Sequence, residues 1–83
     1  MAIQVEVTFK APGPHPNGLQ ATEDGLWILD QDTKKADLVS YDGQLIRSLD
    51  TETDKGSGIT VAGSHLWIAS TCSHEIVKCD RST

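Results

Sequence analysis

The 83-residue sequence has little of what staples, anchors or charges a small chain: two Cys, seven Lys and Arg, and no apolar run longer than four residues, as at Leu26 to Leu29. Two Cys exclude a disulfide framework, and a four-residue run excludes a membrane span, which takes about 20 apolar residues. Twelve Asp and Glu outweigh the cations, giving a formal charge of −5 and a pI near 4.9. Nucleic acid is therefore excluded as a partner, because its binding rests on Lys and Arg neutralising phosphates. No G-x-G-x-x-G, P-loop, G-x-S-x-G or H-E-x-x-H motif occurs, so neither a cofactor nor a known nucleophile arrangement is implied. The start Met1-Ala2-Ile3-Gln4-Val5-Glu6 lacks the basic and apolar regions of a secretion signal, which makes the cytoplasm the expected location.

What is present is a repeat. Gly25-Leu26-Trp27-Ile28 and His65-Leu66-Trp67-Ile68 stand 40 positions apart, and Gly18-Leu19 matches Gly58-Ile59 at the same offset. Beyond Ile68 two residues are read as lost, which aligns Ile76-Val77 with Leu38-Val39 and Asp80 with Asp42. Asp24-Gly25, Asp42-Gly43 and Gly63-Ser64 suit tight hairpin turns, since Gly and Asp tolerate positive φ. Between them the first unit reads as strands at Leu19 to Glu23, Leu26 to Asp30, Asp37 to Tyr41 and Leu45 to Asp50. A period near 40 built of short strands is the mark of a propeller.

A propeller takes about 4 to 8 blades, and this sequence carries two. The expected chain is all-β, with a complete blade over residues 17–52, a three-stranded blade over 57–83 and a separate strand over 1–10. In that strand Val5, Val7 and Phe9 alternate with polar residues, and Val5 and Phe9 match Leu45 and Leu49 at the offset of 40. A three-stranded blade and a lone strand both leave backbone N–H and C=O groups seeking another chain. We expect each N-terminal strand to complete the last blade of a neighbour, and such head-to-tail contacts close into rings. Two blades per chain allow rings of four, six or eight blades, and a six-bladed homotrimer is favoured.

The phrases Asp24-Gly25-Leu26-Trp27-Ile28-Leu29-Asp30 and Leu38-Val39-Ser40-Tyr41-Asp42-Gly43 resemble blades of the six-bladed propellers of the NHL, virginiamycin B lyase and gluconolactonase-like group. The resemblance spans nearly the whole chain and implies the fold more than a task, since propellers host many functions. Gluconolactonase-like members bind a divalent metal through an acidic residue before the inner strand. Here Asn17 and Ser57 occupy that place, so no metal is implied. Lyase-like members carry a His-Gly pair there, and here the run is His15-Pro16-Asn17-Gly18.

On this reading His15 and Asn17, with Asp54 and Ser57 in the second unit, lie at one mouth of the ring channel and are the candidate ligand-binding residues. The plainer roles are a loop cap for His15, a turn for Asn17, and a solvated loop over Thr51 to Ser57. Asp30 is expected to end its strand and accept N–H bonds from the following turn, and Asp30-Gln31-Asp32 lacks the closing Glu of a calcium loop. Trp27 and Trp67 are expected in the core. Cys79, taken to stand where the first unit has Tyr41 and opposite Ile68, is expected to be buried as a small apolar group. The functional expectation is a binding or scaffold module offering loops and a channel to a small molecule or protein. The alternative is a minimal hydrolase or lyase using His15 as base. Hairpin geometry keeps Cys72 and Cys79 apart, so thiol titration of the denatured protein should find two free thiols per chain.

Overall fold

A computed structural model describes residues 4–81. Seven strands and no helix occur among the described residues: β1 (Pro16–Thr22), β2 (Gly25–Asp30), β3 (Lys35–Val39), β4 (Leu45–Asp50), β5 (Gly56–Ala62), β6 (His65–Ser70) and β7 (Glu75–Asp80). They form two antiparallel meanders, a four-stranded sheet in the order β1-β2-β3-β4 and a three-stranded sheet β5-β6-β7. The hairpins close where the turn chemistry places them, and Gly63 between β5 and β6 takes φ +59°, a left-handed conformation that Gly adopts without steric cost. Strand ends differ from expectation by up to three residues: β1 starts at Pro16 rather than Leu19, and β3 runs from Lys35 to Val39 rather than from Asp37 to Tyr41.

The expected two-residue loss after Ile68 is not present. Trp27 pairs with Leu38 and Leu26 with Val39, while Trp67 pairs with Lys78 and Leu66 with Cys79. The offset of 40 therefore runs through the third strands. The two hairpins turn alike: Lys34 and His74, also 40 apart, take φ of 63° and 59°. Matching by hydrophobicity misaligned β7 because Lys78 replaces Leu38, a substitution that a half-exposed strand tolerates. Cys79 accordingly stands in the place of Val39, opposite Leu66 rather than Ile68.

The sheets stack face to face. Trp27, Ala36, Leu38 and Leu49 of the first sheet and Leu66 of the second form one buried cluster, with Ile59, Val61 and Cys79 packed against it. The faces follow from register: Gln20 pairs with Trp27 and Leu19 with Ile28, so Trp27 and Leu19 lie on opposite faces of the first sheet. In the second sheet Val61, Leu66 and Cys79 share the face that meets the first. The first strands of the two sheets, β1 and β5, lie side by side, close enough that a Cβ on Gly18 would stand 3.3 Å from Ile59 Cγ2.

Trp27 is 2% exposed and Trp67 38% exposed, so within the single chain only the first lies in the core. The reason is that no sheet lies against the Trp67 face among the described residues. The segment ahead of β1 is in no strand from residue 4 to residue 15: Val5 and Val7 are 87% and 90% exposed, while Phe9 rests against Gly43. Residues 1–3 of the expected donated strand, and 82–83 of the second unit, lie outside the described residues. Replacing Trp27 by Ala should lower unfolding stability by about 3–5 kcal/mol, measured by urea denaturation. The same change at half-exposed Trp67 should cost clearly less when the chain is dilute.

Candidate functional site

The candidate residues sit where the first strand of each sheet begins: His15 just before β1 and Asn17 within it, Asp54 just before β5 and Ser57 within it. Pro12, Pro14 and Pro16 bracket His15; their fixed φ keeps the approach extended and removes competing donors. Both backbone groups of His15 are held by the end of β2. Its N–H donates to Asp30 Oδ2 at 2.9 Å, and its carbonyl accepts from Gln31 N–H at 2.9 Å. The imidazole points outward and its Nδ1 pairs with the Asp32 carboxylate, both side chains being exposed.

Asp30 is the hub of this corner. It is 1% exposed, and its Oδ1 accepts from the N–H groups of Asp32 and Thr33, each at 2.9 Å. Burial opposes ionisation, but the N–H bonds from Thr33, His15 and Asp32 outweigh it and hold the carboxyl below its ordinary value. The expected role of Asp30 in its turn is thus observed, with a further tie to the crossing segment. Ser70 does the same work in the second sheet: its Oγ accepts from Asp54 N–H at 2.8 Å and from Ser73 Oγ at 2.6 Å.

The repeat extends to these contacts. The Gln31 to His15 backbone bond has its counterpart in Thr71 N–H donating to Lys55 carbonyl at 3.1 Å. Asn17 Nδ2 donates to Gln31 Oε1 at 3.2 Å, and at the same positions 40 residues later Thr71 Oγ1 donates to Ser57 Oγ at 2.7 Å. Asn17 Nδ2 also reaches the Gly56 carbonyl at 3.4 Å, which brings it to β5 beside Ser57. The structure therefore brings together His15 with Asp32, Asn17 with Gln31 and Gly56, and Ser57 with Thr71. Asp54 takes part through its backbone, and its side chain is exposed.

The loop expected to be solvated from Thr51 to Ser57 is only partly so, since Thr51, Thr53 and Gly56 are buried. This link passes between the sheets, and its hydroxyls are satisfied internally: Thr51 Oγ1 donates to Lys34 carbonyl at 2.7 Å and lies 2.8 Å from Thr53 Oγ1. The alternation Thr51-Glu52-Thr53 is the signal that could have marked it. A cleft of about 470 Å³ at the seam between the sheets is lined by Asp24, Trp27, Leu38, Ile46 and both arginines, Arg47 and Arg81. None of the four candidate residues lines it.

Among the described residues no group of three or more His, Cys, Asp or Glu side chains is placed to hold a metal ion. Cys72 is exposed and Cys79 half-buried, and both are free. Burial, with the charge of Glu52, pushes the Cys79 thiol up, making it a poor nucleophile at neutral pH. No helix among the described residues is long and apolar enough to cross a membrane. Comparison with family models, with characterised proteins and with solved structures finds no match.

Because the native value of Asp30 is lowered, its contribution is complete above the unfolded-chain value of about 3.9 and is lost as pH falls through the native one. Asp30→Ala should lower stability by about 2–3 kcal/mol at pH 7, the scale of hydrogen bonds to a charged group. Asp30→Asn should flatten the loss of stability below pH 4. Urea unfolding across a pH series measures both.

Proposed function

We propose that the chain is a two-blade unit that assembles with copies of itself into a six-bladed ring, a binding or scaffold module that presents its loops and central channel to a small molecule or protein. The observation that carries this reading is the incomplete pair of sheets: one of four strands and one of three, on a 40-residue repeat, with the alternating segment at Val5 and Val7 left outside both. The paired backbone bonds at His15 and Lys55 support it further. They hold the segment before β1 against the first sheet as the segment after β4 is held against the second. Residues 4–10 thus correspond to the fourth strand of a blade that precedes the first, and β7 of a neighbour is the edge that lacks such a strand.

In the ring the inner strands β1 and β5 surround the channel, and His15, Asn17, Asp54 and Ser57 recur at one mouth in every subunit. Exposed Asp32 and Asp54 beside that mouth oppose anionic ligands and suit neutral polar or cationic ones. The His15 and Asp32 pair is the observation that favours the second reading, a hydrolase or lyase, since a carboxylate that orients an imidazole is the arrangement of a general base.

Native mass spectrometry should give about 27 kDa, three chains of 9.0 kDa. Replacing Val5 and Val7 together by Pro removes two ladder donors and should shift the mass to 9.0 kDa with the sheet content retained. A native mass of one chain at high concentration would defeat the proposal. Hydrolysis of a lactone or ester panel that is lost in His15→Ala would move the reading to the enzyme.

A further inference from the structure

We infer that the exposed Trp67 face of the second sheet is a docking surface for a second copy of this chain, and that its occupant is that copy's Leu19 face. This deepens the self-assembly proposed above and rests on it. The chain already contains the interface once, inside itself. There the Trp27 face of the first sheet lies against the face of the second sheet that carries Val61 and Leu66, and Leu66 is fully buried by it.

Both halves of that interface recur at the offset of 40, the first exposed and the second open at its Leu19 end, since Ile28 and Val39 on the Leu19 face are already buried within the chain. On the outer face of the second sheet, Trp67 repeats Trp27, Thr60 repeats Gln20 and Ala69 repeats Leu29. With Ile76, which is 69% exposed, these residues line a shallow groove of about 270 Å³. On the outer face of the first sheet, Leu19, Ala21 and Leu26 repeat Ile59, Val61 and Leu66. Leu19 is 62% exposed, whereas Ile59 is partly buried against the cluster between the sheets.

The displacement that carries the first sheet onto the second, applied once more, lays the Leu19 face of a second copy on the Trp67 face of the first. The same displacement brings residues 4–10 of that copy to the open edge of β7, so face and edge are filled together. The contact is heterologous, with different patches on the two partners. Lys78 is the one charged position on the groove's rim that departs from the template. Its ammonium sits 5.3 Å from the Trp67 ring centroid, and its stem can stay apolar-side down while the charge reaches water.

The test uses two full-length variants, Trp67→Glu and Leu19→Glu, each altering a residue exposed in the single chain. Buried-indole emission from Trp27 reports that they fold. Each alone should lose assembly and run at 9.0 kDa at a concentration where the native chain is fully assembled. An equimolar mixture should give a heterodimer of about twice that mass, because each variant keeps the half that the other lacks, and it should stop there. If the native chain assembles but Trp67→Glu assembles equally well, the docking face is refuted while the ring stands. If Leu19→Glu still assembles, or the mixture stays monomeric, the occupant is not the Leu19 face. A native chain that is itself monomeric refutes the ring and this inference together.

Discussion

A sheet with apolar side chains on both faces needs a cover on each, and two such sheets stacked in one chain satisfy the faces between them and leave part of the outer ones open. That constraint governs this structure. The inner contact is filled by Trp27, Ala36, Leu38 and Leu49 against Leu66, whereas the outer faces keep Leu19, Trp67 and Ile76 exposed. Exposed aromatics and aliphatics grouped on one face mark interaction sites more often than scattered ones do. At this chain length folding hides only roughly 60–65% of the unfolded surface, so an unfilled face weighs heavily.

Polar groups settle the corners. Asp30 and Ser70 stand at equivalent positions and tie the segment entering the first strand of each sheet to the end of the second strand, one with a carboxylate and the other with a hydroxyl. The carboxylate does more, gathering three N–H donors in a buried place. Thr51 and Thr53 close the link between the sheets with their own hydroxyls. The corner where each sheet's first strand begins is thus built from fixed backbone, and the candidate side chains of His15 and Asn17 project from that frame. Sites on such frames hold their geometry better than sites on free loops.

Much of this was legible in the sequence because the signals were local. The Trp27 and Trp67 phrases gave the period, and Asp-Gly and Gly-Ser pairs gave the turns that make two antiparallel sheets. The third strand of the second sheet was misread by two positions, since Lys78 and Cys79 in the places of Leu38 and Val39 hide the apolar match. Burial of Thr51 and Thr53 left only the faint mark of their alternation with Glu52, because a threonine in a polar stretch looks much the same whether its hydroxyl meets water or a carbonyl. The different fates of Trp27 and Trp67 were hidden for a related reason: equal residues at equal positions of a repeat differ only in whether a neighbour is present. The chemistry at His15 stayed an expectation, since sequence spacing does not place an imaginary substrate against its imidazole.

The unbroken offset of 40 has one more consequence. Position 83 corresponds to Gly43 and position 4 to Gln44, where the sequence again has Gln. Joining the two directly would keep the register of the repeat across the junction. On the proposed assembly, a gene written head to tail in this way encodes a covalent circle whose pairing steps are intramolecular, replacing bulk concentration by the far higher effective concentration of a tether. On that assembly, the 40-residue period is a module from which longer polypeptides can be spelled in register.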